Sequence, residues 1–380
     1  MTRIAITGVG LLSTLGIGAN AVFANMLEGR VTTSGEIPDF DATAFLGDKG
    51  LRHFDRTALV LSSAARLAAE QSGLASAGYA PEDIGVVVGS THGSIQAITE
   101  FDQESVREGP NYVNPQDFAN TVISQPASRV GVIFSATGLN TTIATGTASA
   151  LDAIAYGLTM LRLGRVATLL CGSALGHSSE IEQSYAKAGR LQISANGVGP
   201  FALGRKGPKF AEGGAVFVLE NEDKARQRGS KPLAVISGVG SFFGHGSAGL
   251  VRAMKEALTQ AGLTPEQISC VVSFASGSPG GDAQEGEAIS EVLPGAPVTA
   301  PKSQTRDCLE ASGAIHMAVS LLSISSGKIP GIPKLESIDP AFSKLDLVCG
   351  KARDASVKHV LVNARDDSGH NAVVIVSAPE

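Results

Sequence analysis

Residues able to carry chemistry are scattered along this sequence, and few stand together. Of the seven histidines, His92 lies in GSTHGS, His245 in FFGHGS, His316 in an Ala/Leu-rich run and His370 near the C-terminus. A metal centre needs several His, Cys, Asp or Glu ligands at recurring spacings. None of these four has a second ligand so placed, so they read as structural or surface groups and no metal is expected. Cys308 follows Asp307, but adjacent side chains point apart, which makes a buried thiol the default and a nucleophile the exception. Asp282 and Glu285 stand at i, i+3, so on a helix they share a face and look like an acid/base couple. Lys302 has the chemistry of a Schiff-base former, yet with Asp307 and Glu310 nearby in sequence an internal ion pair is the expectation. The clusters TGVG and SGVGSFFGHG contain no GxGxxG running into a helix, so neither a dinucleotide site nor any other cofactor is implied.

A large apolar frame must position these groups. The 380 residues are 43% hydrophobic, 17% charged and 5% aromatic, with 45 glycines and no tryptophan. That composition excludes disorder and coiled coil, and predicts a core of small aliphatic side chains with closely approaching backbones. Thirty basic against thirty-six acidic residues give a net charge of −6, without a basic cluster, so nucleic acid is not an expected partner. Cys171, Cys270, Cys308 and Cys349 have no CxxC spacing and read as buried free thiols of a reducing compartment. The opening MTRIAITGVG enters a strand without a hydrophobic signal region, and no apolar run is long enough to cross a bilayer; a soluble, cytoplasmic protein is expected.

β-branched runs bounded by glycine recur at 3–9, 84–89, 168–171, 215–219, 233–238, 270–274, 359–362 and 372–376, separated by Ala/Leu-rich helical segments such as 56–71, with Gly73 as its C-cap. This alternation predicts α/β layers. A repeat then appears. Segment 148–166 (ASALDAIAYGLTMLRLGRV) aligns without gaps on 311–329 (ASGAIHMAVSLLSISSGKI), with five of nineteen positions identical, and each copy is followed by two strands. Both repeat helices are apolar on nearly every face, which predicts a place between sheets. The expectation is a duplicated, five-layered αβαβα arrangement: an N-terminal half over 1–222 and a C-terminal half over 232–380, joined by the charged segment 221–231.

That plan is the thiolase fold, and the chain resembles the β-ketoacyl synthase family over nearly its whole length. The resemblance is carried, in family order, by RIAITGVGLLSTLGIGANAVFANMLEGR, LRHFDRTALVLSSAA, GPFALGRKG, EGGAVFVLE and GGDAQEGEAI, the last fitting the family's GDxxExxAI. In that family a cysteine is acylated at a helix N-terminus, where the dipole favours the thiolate. Two histidines assist decarboxylation of the extender. Here the resemblance puts Gly146 at the cysteine, Ala275 at the first histidine and Asp307 at the second, with Arg306 where the family has glycine; Lys302 is retained. Thr145 and Thr147 flank the lost nucleophile but have no adjacent base. The family's glycine-rich gating turn becomes ARDDSGHN, bringing Arg365, Asp366 and Asp367 into an apolar gate. The resemblance also implies structural roles for Asp282 and Glu285, with Asp282 as a helix N-cap.

The chain therefore looks like a chain length factor (KSβ) of a type II polyketide synthase or polyene system. Such a subunit is non-catalytic: it pairs with a catalytic ketosynthase in a heterodimer and shapes the acyl tunnel. The acidic acyl carrier protein would dock mainly on the partner. Other readings are a remodelled acyltransferase or hydrolase using Arg306, Asp307, Arg365, Asp366 and Asp367, or a structural homodimer. By the same resemblance, the strand near 139–144 crosses the interface. Phe118, Thr121 and Val122, at helical i, i+3, i+4 spacing, are candidates for the tunnel or interface.

Overall fold

The computed structural model describes residues 3–115, 117–190 and 199–380. Its first half supplies strands β1 (Ile4–Ser13), β2 (Ile84–Gly89), β3 (Asn140–Ile143), β4 (Thr168–Leu175) and β5 (Gly213–Asn221). The second supplies β6 (Ala234–Phe243), β7 (Cys270–Val272), β8 (Pro297–Thr299), β9 (His359–Arg365) and β10 (His370–Ser377). The strand order runs β3-β2-β4-β5-β1 and continues as β6-β10-β9-β7-β8. Pairing senses repeat as well: β1 is antiparallel to β5 as β6 is to β10, β5 to β4 as β10 to β9, while β4, β2 and β3 are mutually parallel neighbours, like β9, β7 and β8. The halves meet where Ile4, Ala5 and Ile6 pair with Ile236, Val235 and Ala234.

Glycines in TGVG and SGVG explain how helices lie so close on these strands. Helix α1 (Arg56–Ser72) is capped by the Asp55 carboxylate, which accepts from Ala58 N, and closes on left-handed Gly73. It crosses β1 so tightly that a Cβ on Gly10 would lie 1.9 Å from the Ala64 carbonyl oxygen. In the second half a Cβ on Gly240 would lie 2.0 Å from Ala253 O. No larger residue permits that approach.

Helix α2 (Ser149–Arg162) packs on β2 and β4, and a later helix of the second half, equivalent to it, spans Ser312–Ser326 and packs on β9 and β5. Side chains of these two helices and of the facing strands, such as Leu151, Ile154, Phe217, Ile315, Met317 and Val362, form one buried cluster between the sheets. Separate clusters lie outside: under α1 in the first half, and in the second under α3 (Gly246–Ala261) and α4 (Pro279–Val292). With the Ser312–Ser326 helix as α5, the layers are α1, sheet, α2 with α5, sheet, and α3 with α4: the five-layered thiolase-like arrangement that the sequence predicts.

The charged joint contains a short helix, Glu222–Gln227, which is capped by Asn221, buries Glu222 and Ala225 and carries the Glu222–Arg226 ion pair. Two expectations need correction. Cys349 is exposed, because it sits on a loop past a two-residue strand, whereas Cys171, Cys270 and Cys308 are buried free thiols. Phe118 and Thr121 belong to a 3₁₀ turn, Asp117–Thr121, rather than to an α-helix that includes Val122; Thr121 Oγ1 donates to Phe118 O. Among the described residues no helix is long and apolar enough to cross a membrane.

Candidate functional site

Loops at the carboxyl ends of strands β3, β7, β8 and β9 converge on a cavity of about 310 Å³. Both central helices start there, so two positive helix ends face one space. Each is met by an aspartate.

At the start of α2 the segment Thr145–Gly146–Thr147 makes the turn, with Gly146 left-handed at φ 65°. A Cβ built there would lie 2.2 Å from Asp366 Oδ2 and 2.3 Å from its Cγ, so the aspartate occupies the space of any side chain at 146. Its carboxylate accepts from Thr147 N (3.0 Å), Thr147 Oγ1 (3.2 Å) and Ser368 N (2.8 Å). Burial disfavours the Asp366 charge, but these hydrogen bonds outweigh it and hold the carboxyl below its ordinary value. Both threonine hydroxyls are committed: Thr147 Oγ1 donates to Arg365 O at 2.6 Å, and Thr145 Oγ1 to Asp152 Oδ2 at 2.6 Å. The same Asp152 oxygen meets His370 Nε2 at 2.6 Å. Among the described residues neither hydroxyl has a hydrogen bond to an imidazole; His370 meets the Asp152 carboxylate.

At the start of α5, Asp307 Oδ1 accepts from Leu309 N and Ser312 Oγ and pairs with Lys302 Nζ at 2.9 Å, with side chains 8% and 2% exposed. The ammonium also lies 3.2 Å from the centre of the Phe274 ring. Glu310 does not share Lys302. It is fully buried and accepts from Thr91 N, His92 N and His92 Nδ1, the last at 2.7 Å. Burial works against the His92 charge, yet the Glu310 hydrogen bond and charge prevail and raise the imidazole above its usual value. Thr91 Oγ1 in turn donates to Gly146 O.

Ala275 lines the cavity, buried and without a polar atom on its side chain. Asp282 and Glu285 form its wall, but Asp282 is not the N-cap of α4. Ser278 is, and Asp282 lies inside the first turn, turned back to accept from Phe201 N, Ser276 N and Gly277 N. Burial pushes the Asp282 carboxyl up to about 6 and raises that of Glu285, which accepts from Phe274 N and Asn363 Nδ2. Arg365 donates to Gly281 O and to Gln284, and Asp367 pairs with Arg190 at 3.0 Å. Arg306 is directed away, to Thr33 O, from a backbone at φ 65°, ψ −172°, a conformation nearly confined to glycine. Burial drives the Cys308 thiol up. His316 is buried against Phe274, with ring centres 5.7 Å apart, and burial lowers its imidazole well below the usual value. Phe118, Thr121 and Val122 do not line the cavity.

Among the described lining residues there is no histidine and no cysteine. Tyr185, lifted to about 12 by burial and by the nearby Asp307, Glu310 and Asp366 charges, stays protonated. The cavity can hold polar groups among fixed charges. Sequence reasoning finds Gly146 and Asp366 as separate losses and misses that one fills the other. The available signal is their pairing: a side chain vanishes at a helix start while a carboxylate appears in a distant turn. It also misses the His92–Glu310 pair, whose members lie 218 residues apart.

Residues 1–225 match the family model "Beta-ketoacyl synthase, N-terminal domain" and residues 233–336 match "Beta-ketoacyl synthase, C-terminal domain". The chain is 30% identical over 414 residues to a Streptomyces coelicolor protein provisionally named polyketide beta-ketoacyl synthase 2, covering 98% of this chain and 94% of that one. A Streptomyces halstedii protein of the same provisional name is 29% identical over 408 residues, covering 98% and 97%. Among solved structures, the ishigamide ketosynthase/chain length factor superposes with a TM-score of 0.93 at 26% identity, covering 100% of both chains.

Proposed function

The chain belongs to the β-ketoacyl synthase family, and from that premise we propose that it is a non-catalytic, chain-length-factor-like subunit, partnered by a catalytic ketosynthase in polyketide or polyene assembly. The observation that carries this reading is the occupied elbow: Gly146 has no side chain to acylate, and the Asp366 carboxylate fills the space where one would stand. Ala275 and the Lys302–Asp307 pair leave neither imidazole that decarboxylation of an extender calls for. A fold kept intact around a disabled centre has its use in shape and contact.

Two surface features support partnership. Among the described residues the outer edge of β3 has no neighbouring strand, an open template for a second subunit. Phe118 (60% exposed), Val122 and Ile123 add exposed apolar surface. The similarity to a solved ketosynthase/chain length factor agrees with this assignment. Acyl carrier protein would engage chiefly the partner, since this chain is net negative, at −6.

Co-expression with candidate ketosynthases tests the proposal. A one-to-one complex with a chain that has the cysteine and both histidines is expected, with an interface above about 2,000 Å² as in permanent complexes. A stable, dispersed monomer at micromolar concentration that binds none of them would contradict it.

A further inference from the structure

The turn that carries Asp366 is fastened to the elbow by several polar contacts. Thr147 Oγ1 donates to Arg365 O, Thr147 N and Oγ1 donate to the Asp366 carboxylate, and His370 meets Asp152, which also holds Thr145. On the far side Arg365 grips the start of α4 through Gly281 O, and Asp367 pairs with Arg190. The carboxylate thus accepts the Thr147 N–H just ahead of the N-terminus of α2, an environment that stabilises an anion.

We propose that Asp366 is a plug supplied by the chain itself: its carboxylate stands in for a substrate or nucleophile group at the elbow, so that Gly146 and Asp366 form one coupled unit closing this cavity to acyl groups. The geometry makes the coupling obligatory. Any side chain at 146 collides with the carboxylate, and withdrawal of the carboxylate leaves the Thr147 N–H without its acceptor. Restoring a cysteine alone therefore meets an occupied site. The inference builds on the reading of this chain as one without an acyl nucleophile, but not on the identity of its partner.

The test uses the full-length protein, with its partner subunit where the two co-purify. Gly146→Cys is compared with Gly146→Cys combined with Asp366→Gly, and maleimide labelling at position 146 is read by peptide mass spectrometry. With Asp366 retained, labelling is expected to be slower by about tenfold or more, since the carboxylate both blocks the thiol and disfavours the thiolate; failure of the single variant to fold, relieved by Asp366→Gly, supports the plug equally. Asp366→Gly alone should melt at a lower temperature than the parent and recover saturably with formate, but not with chloride at equal ionic strength. Equal labelling in the two cysteine variants, or an Asp366→Gly protein as stable as the parent and indifferent to formate, overturns the proposal. Acylation of the unmodified chain would instead defeat the non-catalytic reading, so the two failures are distinguishable.

Discussion

Lys302 and Asp307 pair in the wall of the cavity. Neither side chain is more than 8% exposed, and each neutralises the other. Removing one partner of a buried pair strands a charge at a cost of about 3–5 kcal/mol, whereas removing both is far milder. Lys302→Met should accordingly cost about that much in denaturant unfolding, and Lys302→Met with Asp307→Asn should recover most of it; equal losses in both proteins would show that the pair is not the source. His92 and Glu310 make a second, pH-dependent link. The imidazole is raised and the carboxyl lowered relative to their ordinary values, the carboxyl despite complete burial. The imidazole contribution is thus fully present below the unfolded histidine value and disappears as pH rises through the folded one. The carboxylate contribution is present above the unfolded carboxyl value and disappears as pH falls through the folded one. Melting temperatures of the parent and His92→Gln should differ most in the mildly acidic range between those limits and converge as pH climbs; a constant gap from about pH 6 to 9 would contradict the pairing.

The elements were legible where local rules and burial agree. All eight β-branched runs appear as strands, and Gly73 ends α1 in a left-handed turn, as its position after an Ala/Leu-rich segment implies. The repeat aligned in sequence recurs in space, with Ala148 and Ala311 at the starts of α2 and α5 and left-handed Gly164 and Gly327 at their ends. Contacts distant in sequence were not legible, because neither periodicity nor propensity reports which turn lies over Gly146 or which loop receives Glu310. The sequence points to Asp282 as the N-cap of α4 for a related reason: an acid near a helix start fits a cap, but backbone N–H groups from the Phe201 and Ser276 loops claim it in three dimensions. Gly10 and Gly240 make matching contacts in the two halves, so Gly10→Ala and Gly240→Ala should destabilise comparably, by about 3 kcal/mol, through forced separation of helix and strand. A loss in one half alone, measured by thermal unfolding, would break the equivalence. Phe118 is the opposite case. Its ring centre lies 6.0 Å from that of Phe101 and the side chain is mostly exposed, so Phe118→Ala should change the stability of the isolated chain by no more than about 0.5 kcal/mol. In the reconstituted pair, longer products at comparable yield would identify it as a tunnel stopper, and an unchanged length distribution from an intact complex would remove it from that role.

At the scale of the whole molecule, a duplicated sheet brings two helix N-termini to one cavity, and this chain answers each with a carboxylate instead of reactive groups. The proposed function makes this a division of labour in which the fold is retained and the acylation chemistry lies in a partner. The most direct measurement is intact-mass analysis of the co-purified pair after incubation with an acyl-carrier thioester. The expected result is an acyl adduct on the partner chain alone, with this chain at its unmodified mass; a stoichiometric adduct on this chain would contradict the account.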